Sequence, residues 1–526
     1  MTHFSFNPMD PELLRDPYPI FRRMRDTDPI HRSDLGFWVT TRYEDCRSVL
    51  IDKSFGQGDF TKNIQLFYDD SFDVLAQPAY AWLSRVFVMQ DPPQHTRVRD
   101  LVAGALTHRR VREMAPRIRQ LARQQLHQFA KSDDGNFITD FAYLFPTLVM
   151  CDMLGMKEEE FSWELLAQLN QAVADTFPVF ETRALEPDEL VLANSQMEFL
   201  TEFFDDLFHR RKKNPRDDLT TAMASAGDGG DVLTKEELST SVIGLFGAGF
   251  ETTAHMIGNG LFCLGDNPDQ RRKLQENSNL VDAAVEEILR FESSLQATYR
   301  TALEPREIAG QKIETGDRVL TIVAAANRDE RHFENPEVFD ISPREQKPLT
   351  FGGGIHYCVG AALARLEGKI FLEELFSEYP DFEVNTESAS LRGAFLFRGY
   401  QDLRVRLRGK SCGQNSRRSW LLVSLCPTVQ TCRLSQLTVL SKISGPMSTM
   451  KPSHSLQRAM VLIICSRYHA GEVLVEILTF LAPLSKRRPG QRLSCEQPVR
   501  FKCSQPFIFL YSTPLLLPRW VLPWRR

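Results

Sequence analysis

The stretch Phe351-Gly352-Gly353-Gly354-Ile355-His356-Tyr357-Cys358-Val359-Gly360 holds one thiol in a glycine-rich loop and runs directly into Ala361-Ala362-Leu363-Ala364-Arg365-Leu366-Glu367. The alanine-rich run is a strong helix former. Cys358 therefore stands just before a helix N-terminus, where unpaired N–H groups and the positive end of the helix dipole stabilise a thiolate, the metal-binding form of cysteine. Consecutive glycines also let something flat approach the backbone closely. Alone, such a cysteine is usually only a small core residue. A second group of chemical interest is Gly247-Ala248-Gly249-Phe250-Glu251-Thr252-Thr253, in the middle of an otherwise apolar helical stretch. Each glycine costs about 1 kcal/mol against alanine in a helix interior. Small residues there admit a flat ligand, and a threonine hydroxyl replaces a backbone hydrogen bond where a helix bulges. Packing explains the glycines but not Glu251.

Two further pairs stand at helical spacing. His95 and Arg99, after Asp91-Pro92-Pro93, share one face and read either as a solvated basic surface or as donors for a bound anion. Glu287 and Arg290, three apart, read as a surface pair worth a few tenths of a kcal/mol unless they are buried.

The elements that must position these residues are mostly helical. Residues 10–32 suggest a turn and a short amphipathic helix, and Phe37-Trp38-Val39-Thr40-Thr41 a strand. Residues 54–89 lack a period and read as a long loop region over a pocket. Helices are expected over 110–130 and over 138–156, the latter buried. Residues 173–200 read as two helices joined by a mobile aromatic loop around Phe177-Pro178-Val179-Phe180, a plausible lid. The clearest helix spans Thr234 to about Asp266, opening with Thr234 and Glu237 in capping-box spacing and stopping before Asn267-Pro268. Strands are expected at Thr298-Tyr299-Arg300-Thr301 and over 318–323, and a coil without period from Ala325 to Asp340.

Composition bounds the rest. The chain has 526 residues and a formal charge of −5, but the 118 residues after Arg408 hold 17 Lys and Arg against 3 Asp and Glu. Residues 1–408 keep 46 bases against 65 acids. That acidity argues against a nucleic-acid partner. Four widely spaced cysteines in this body suit a reducing compartment. The N-terminus lacks a signal-peptide pattern, and no run of about 20 apolar residues precedes Arg408, so a soluble cytoplasmic protein is expected.

Taken in order, these motifs resemble the cytochrome P450 family of heme-thiolate monooxygenases, in its soluble bacterial branch, over residues from about 10 to 408. The carriers are Asp91-Pro92-Pro93 with His95 and Arg99, Ala248 through Thr253, Glu287-Ile288-Leu289-Arg290, Ala326-Asn327-Arg328-Asp329, and Phe351 through Gly360. The resemblance implies a mainly α fold with small β-sheets, a helical heme domain crossed by a long central helix. It implies heme b, with Cys358 as axial ligand to the iron and Phe351 packed against the sulfur. His95, Arg99, Arg300 and His356 would hold the heme propionates, and Ala248 and Gly249 would make room for dioxygen. Glu251 and Thr252 would be the catalytic pair, handling protons and oxygen. Glu287 and Arg290 become a buried brace. Two departures stand out: Pro343 occupies the place where the family carries a third partner for that brace, with Arg344 following, and a proline common near Ser294 is absent.

The activity implied is oxygenation of a hydrophobic small molecule, hydroxylation or epoxidation, with electrons from a ferredoxin or flavodoxin and its reductase. Resemblance to bacterial enzymes of secondary metabolism points first to a polyketide-type substrate, possibly carrier-protein bound, then to a fatty acid or terpenoid. A peroxide-driven enzyme fits Glu251 and Thr252 less well, and a non-catalytic P450-like recruitment module has no need of Cys358. Residues 409–526 carry none of these motifs and read as a frame-shifted or read-through extension, disordered or aberrant. Their six cysteines lack zinc-site spacing, and the apolar stretch 506–524 is broken by prolines and an arginine, against a membrane anchor.

Overall fold

The computed structural model describes residues 6–132, 134–157, 160–225, 232–409, 458–469 and 472–483. They belong to two units, Met1–Ser419 and Trp420–Arg526. In the second, strands Arg458–His469 and Glu472–Pro483 pair antiparallel in unbroken register. The rest of the expected extension, with its apolar 506–524 stretch, lies outside the described residues.

The first unit is mainly α-helical, with small sheets. Its axis is the helix Lys235–Asp266, about 48 Å long at 1.5 Å per residue. Thr234 starts it with a reciprocal cap: the Glu237 N–H donates to the Thr234 hydroxyl at 3.2 Å, and the Thr234 N–H to the Glu237 carboxylate at 3.0 Å. The helix is buried along most of its length because four others pack on it: Leu144–Met153, Pro187–Lys213, Val281–Phe291 and Ala361–Glu378. It runs as uninterrupted α-helix through its centre, without the anticipated bulge. The two central glycines serve close packing. A Cβ on Gly249 would lie 2.5 Å from the Met150 sulfur, and one on Gly247 3.2 Å from the Phe177 ring.

The five-stranded sheet has the order Ile30–Arg32, Trp38–Thr40, Arg318–Thr321, Thr298–Ala302, Phe55–Gly56. Arg300 pairs with Val319 and Thr301 with Arg318. Elsewhere the structure differs in detail from sequence expectation. Residues 54–89 are not simply a loop: they contain the short helices Phe60–Gln65 and Pro78–Arg85, too brief to show a period. The Asp91 carboxylate accepts the N–H groups of Gln57 and Gly58, each at 2.8 Å, and so folds this segment back on itself. The buried 138–156 segment opens with a π-turn, Ile138–Ala142, before the helix Leu144–Met153. Phe177–Phe180 is a single 3-10 turn between Trp163–Thr176 and Pro187–Lys213. No helix among the described residues is long and apolar enough to cross a membrane.

Candidate functional site

The Cys358 loop is closed by its own backbone, with the Cys358 N–H donating to the Phe351 carbonyl at 2.9 Å. Gly352 and Gly354 take φ of +72° and +60°, and a Cβ on Gly354 would stand 2.6 Å from the Leu50 carbonyl oxygen. Its glycine thus admits the helix Tyr43–Ile51, where sequence reasoning expected a flat ligand. Asn327 fixes the approach to the loop: its side-chain oxygen accepts the Leu349 N–H at 2.7 Å, and its amide donates to the Ser293 and Thr350 hydroxyls at 2.9 Å each. The Arg365 guanidinium lies over the Phe351 ring, 4.4 Å from its centroid. Burial pushes the Cys358 thiol up, while the Gly360 and Ala361 N–H groups and the Arg99 and Arg365 cations favour the thiolate.

Behind the loop, Glu287 and Arg290 are both buried and form a double hydrogen bond at 2.7 and 2.8 Å. Arg290 also donates to the carbonyls of Asn327 and Pro336, both at 2.9 Å, and the Asp340 N–H donates to Glu287 at 2.9 Å. Arg344 supplies the third partner, 3.5 Å from Glu287. The one-residue displacement by Pro343 is therefore absorbed by the coil.

Above the loop lies a cavity of about 370 Å³. Cys358, Val359 and Ala364 form one wall, Gly247, Ala248 and Thr252 the opposite one, and Trp82, Phe87, Phe177, Phe180 and Phe397 much of the rest. Arg99, Arg300, His356 and Phe351 also line it. Gly249 does not, because it faces Met150. His95 lies immediately behind, its ring centroid 4.3 Å from that of His356. All four ring nitrogens of these two histidines are buried without a protein partner. Burial, then the Arg300, His95 and Arg99 charges, push His356 down to about 3, and burial and Arg99 push His95 down as well. Orphaned donors beside two arginines form a cradle for anionic groups.

Thr252 turns its hydroxyl to the cavity and donates to the Ala248 carbonyl at 2.8 Å. Glu251 does not line the cavity. It is buried in a cluster that spacing along the chain did not disclose: the Arg392 guanidinium donates to its Oε1, the Tyr143 hydroxyl to the same atom at 3.2 Å, and His255 Nε2 stands 3.4 Å away. Burial pushes the Glu251 carboxyl up, but His255 and Arg392 outweigh it and hold it below the ordinary carboxylate range. Oε2 has no partner. Of these partners only His255, four residues along the same helix, stood at a telling spacing.

The family model for Cytochrome P450 matches residues 49–391. This chain belongs to the cytochrome P450 family. Cytochrome P450 107B1 of Saccharopolyspora erythraea is 34% identical over 405 residues, 76% of this chain and 96% of that protein. The polyketide biosynthesis cytochrome P450 PksS of Bacillus subtilis is 30% identical over 420 residues, 77% and 100% of the two chains. The crystal structure of P450BioI, in complex with acyl carrier protein carrying hexadec-9Z-enoic acid, has a TM-score of 0.69 and 32% identity, covering 76% of this chain and all of that one. Cytochromes P450 are heme-thiolate oxidoreductases with heme b as cofactor. The residues present fit that group: a thiol faces the cavity, and the unpartnered nitrogens of His95 and His356 with Arg99 and Arg300 suit its two carboxylates.

Proposed function

We propose that this cytochrome P450 hydroxylates or epoxidises a hydrophobic small molecule and that a polyketide-type metabolite is its substrate. The observation that carries this reading is one largely apolar cavity with Cys358 on one wall and Ala248 and Thr252 on the other. The likeness to PksS supports the substrate class. The likeness to P450BioI, bound to a fatty-acyl carrier protein, favours fatty-acid oxidation as the second reading and a carrier-bound substrate as one form of delivery.

In this reading Cys358 would bind the heme iron through its sulfur, Phe351 would pack beside that sulfur, and His95, Arg99, Arg300 and His356 would hold the propionates. Bound heme supplies dioxygen activation, which electron donation from a thiolate ligand promotes. Ala248 leaves space beside the reacting centre. The Thr252 hydroxyl, anchored on the Ala248 carbonyl, offers its Oγ1 lone pairs to the cavity and hands on a proton there. Glu251, held ionised by Arg392 and His255, relays that proton at Oε2, the atom without a partner, while Arg392 and Tyr143 fix Oε1. Arg392 is a quarter exposed and connects the cluster to solvent. The aromatic wall excludes water from the reaction. Electrons come from a ferredoxin or flavodoxin with its reductase, and the enzyme works in the cytoplasm.

The test is turnover with a surrogate ferredoxin and reductase under isotopically labelled dioxygen, against macrolactones, fatty acids and terpenoids. One labelled oxygen atom in a macrolactone product supports the reading. Labelled product from fatty acids alone overturns the polyketide assignment, and reduction of the heme without product from any class supports a recruitment role instead.

A further inference from the structure

Seven arginines of the described residues are buried. Arg25, Arg211, Arg290, Arg328 and Arg398 each have a carboxylate within 4.0 Å. The other two, Arg300 and Arg318, have none among the described residues, and both line the cavity. Arg300 faces the anion cradle already described. Arg318 is a separate case. It stands directly opposite Thr301 in the sheet, one residue out of step with Arg300, so the two side chains leave the strands on opposite faces.

Arg318 is only 8% exposed. Its Nη1 donates to the Asn63 carbonyl at 3.0 Å, and its Nε has no partner. The guanidinium lies over the Tyr299 ring, 4.2 Å from the centroid, and 5.8 Å from that of Phe67. Burial lowers its pKa, and no carboxylate counters that effect. The Tyr299 hydroxyl, in the same cavity wall, is also buried without a partner. Glu181, the only carboxylate among the described residues that line the cavity, is not the missing counter-ion. It accepts the Leu396 N–H at 3.2 and 3.4 Å, and the charges acting on it are those of Arg183 and Arg392. A buried guanidinium left unpaired costs several kcal/mol, and its planar fork matches a carboxylate.

We propose that Arg318 receives a carboxylate carried by the substrate. This deepens the monooxygenase reading and rests on it: the metabolite oxidised, a polyketide-type acid or a fatty acid, carries a free carboxylate that sits on the Arg318 wall, with its apolar body against the aromatic wall of Trp82, Phe177, Phe180 and Phe397 beside Thr252. A thioester still attached to a carrier protein lacks that group. The one other source of the same chemistry is a heme propionate, and the test separates the two.

Holoenzyme is titrated with fatty acids of about ten to sixteen carbons and with the corresponding alcohols and methyl esters, followed by spin-state shift and by calorimetry. The acids are expected to bind at least about tenfold more tightly than their alcohols, the size of one charge-assisted hydrogen bond. Arg318→Gln should erase that difference and leave alcohol affinity within about twofold, and Arg318→Lys should keep part of it. Acids binding no better than esters in the wild-type enzyme overturn the proposal, as does a preference that survives in Arg318→Gln. Faster heme loss from Arg318→Gln, with the acid preference intact, assigns Arg318 to a propionate and also overturns it. The wild-type comparison stands even where the variants fold poorly. Failure of the monooxygenase reading is recognised separately, by the absence of product from any bound ligand.

Discussion

Behind the Cys358 loop, Glu287, Arg290 and Asn327 use every side-chain donor and acceptor within the protein. Across the cavity the pattern is reversed. Glu251 keeps one carboxylate oxygen without a partner, and Thr252 turns its hydroxyl to open space. A fully satisfied buried network holds one geometry, which suits a ligand that must not move. Unused polar atoms are what proton transfer requires. In the proposed reading the two walls would divide the labour of one site: the first fixes a sulfur, the second relays a proton.

Breaking the braced wall should have the larger effect on folding. Glu287→Ala leaves the Arg290 guanidinium buried without its acid, and the expected loss is about 3–5 kcal/mol in chemical unfolding of the holoenzyme. A loss below about 1 kcal/mol would mean that the pair is no more than a surface contact.

The opposite wall should respond in rate. Glu251→Gln keeps the shape but removes the carboxylate that relays the proton and pairs with Arg392, so product formation should fall by about 100-fold with the heme spectrum unchanged and a smaller loss of stability than in Glu287→Ala. A fall in stability to match would make Glu251 a packing residue.

Between the walls, the histidine pair sharpens the comparison through pH. His356 has a folded-state pKa pushed down to about 3, from an ordinary value near 6.5. The unfolded chain therefore binds the extra proton first. The contribution of a neutral His356 is complete above the ordinary value and is lost as pH falls toward the folded value, at about 1.4 kcal/mol per pH unit. Unfolding of the heme-free protein at successive pH values should show that slope, reduced in His356→Gln. An equal slope in the variant would place the titration elsewhere.

Much of the braced wall was legible in the sequence because its residues are local. The thiol, its glycines and the following helix lie within one stretch. Glu287 and Arg290 share one turn. The Arg344 contact was obscured only by the one-residue displacement at Pro343. The opposite wall was half legible. Thr252 stood out, but Arg392 reaches Glu251 across 141 residues, and Tyr143 across 108, with no periodicity to link them. The glycines were visible, although their packing against Met150 and Leu50 depends on helices placed by the tertiary fold. Arg318 looked like any strand residue until its surroundings proved to lack an acid.

The central claim is that Cys358 holds heme iron as a thiolate, and the carbon monoxide complex of the reduced protein tests it most directly. The wild-type protein should show the strongly red-shifted Soret band of thiolate ligation, and Cys358→Ser should lose that band while retaining its fold. A red-shifted band that persists in Cys358→Ser, or a well-folded wild-type protein that binds no heme, would contradict the account.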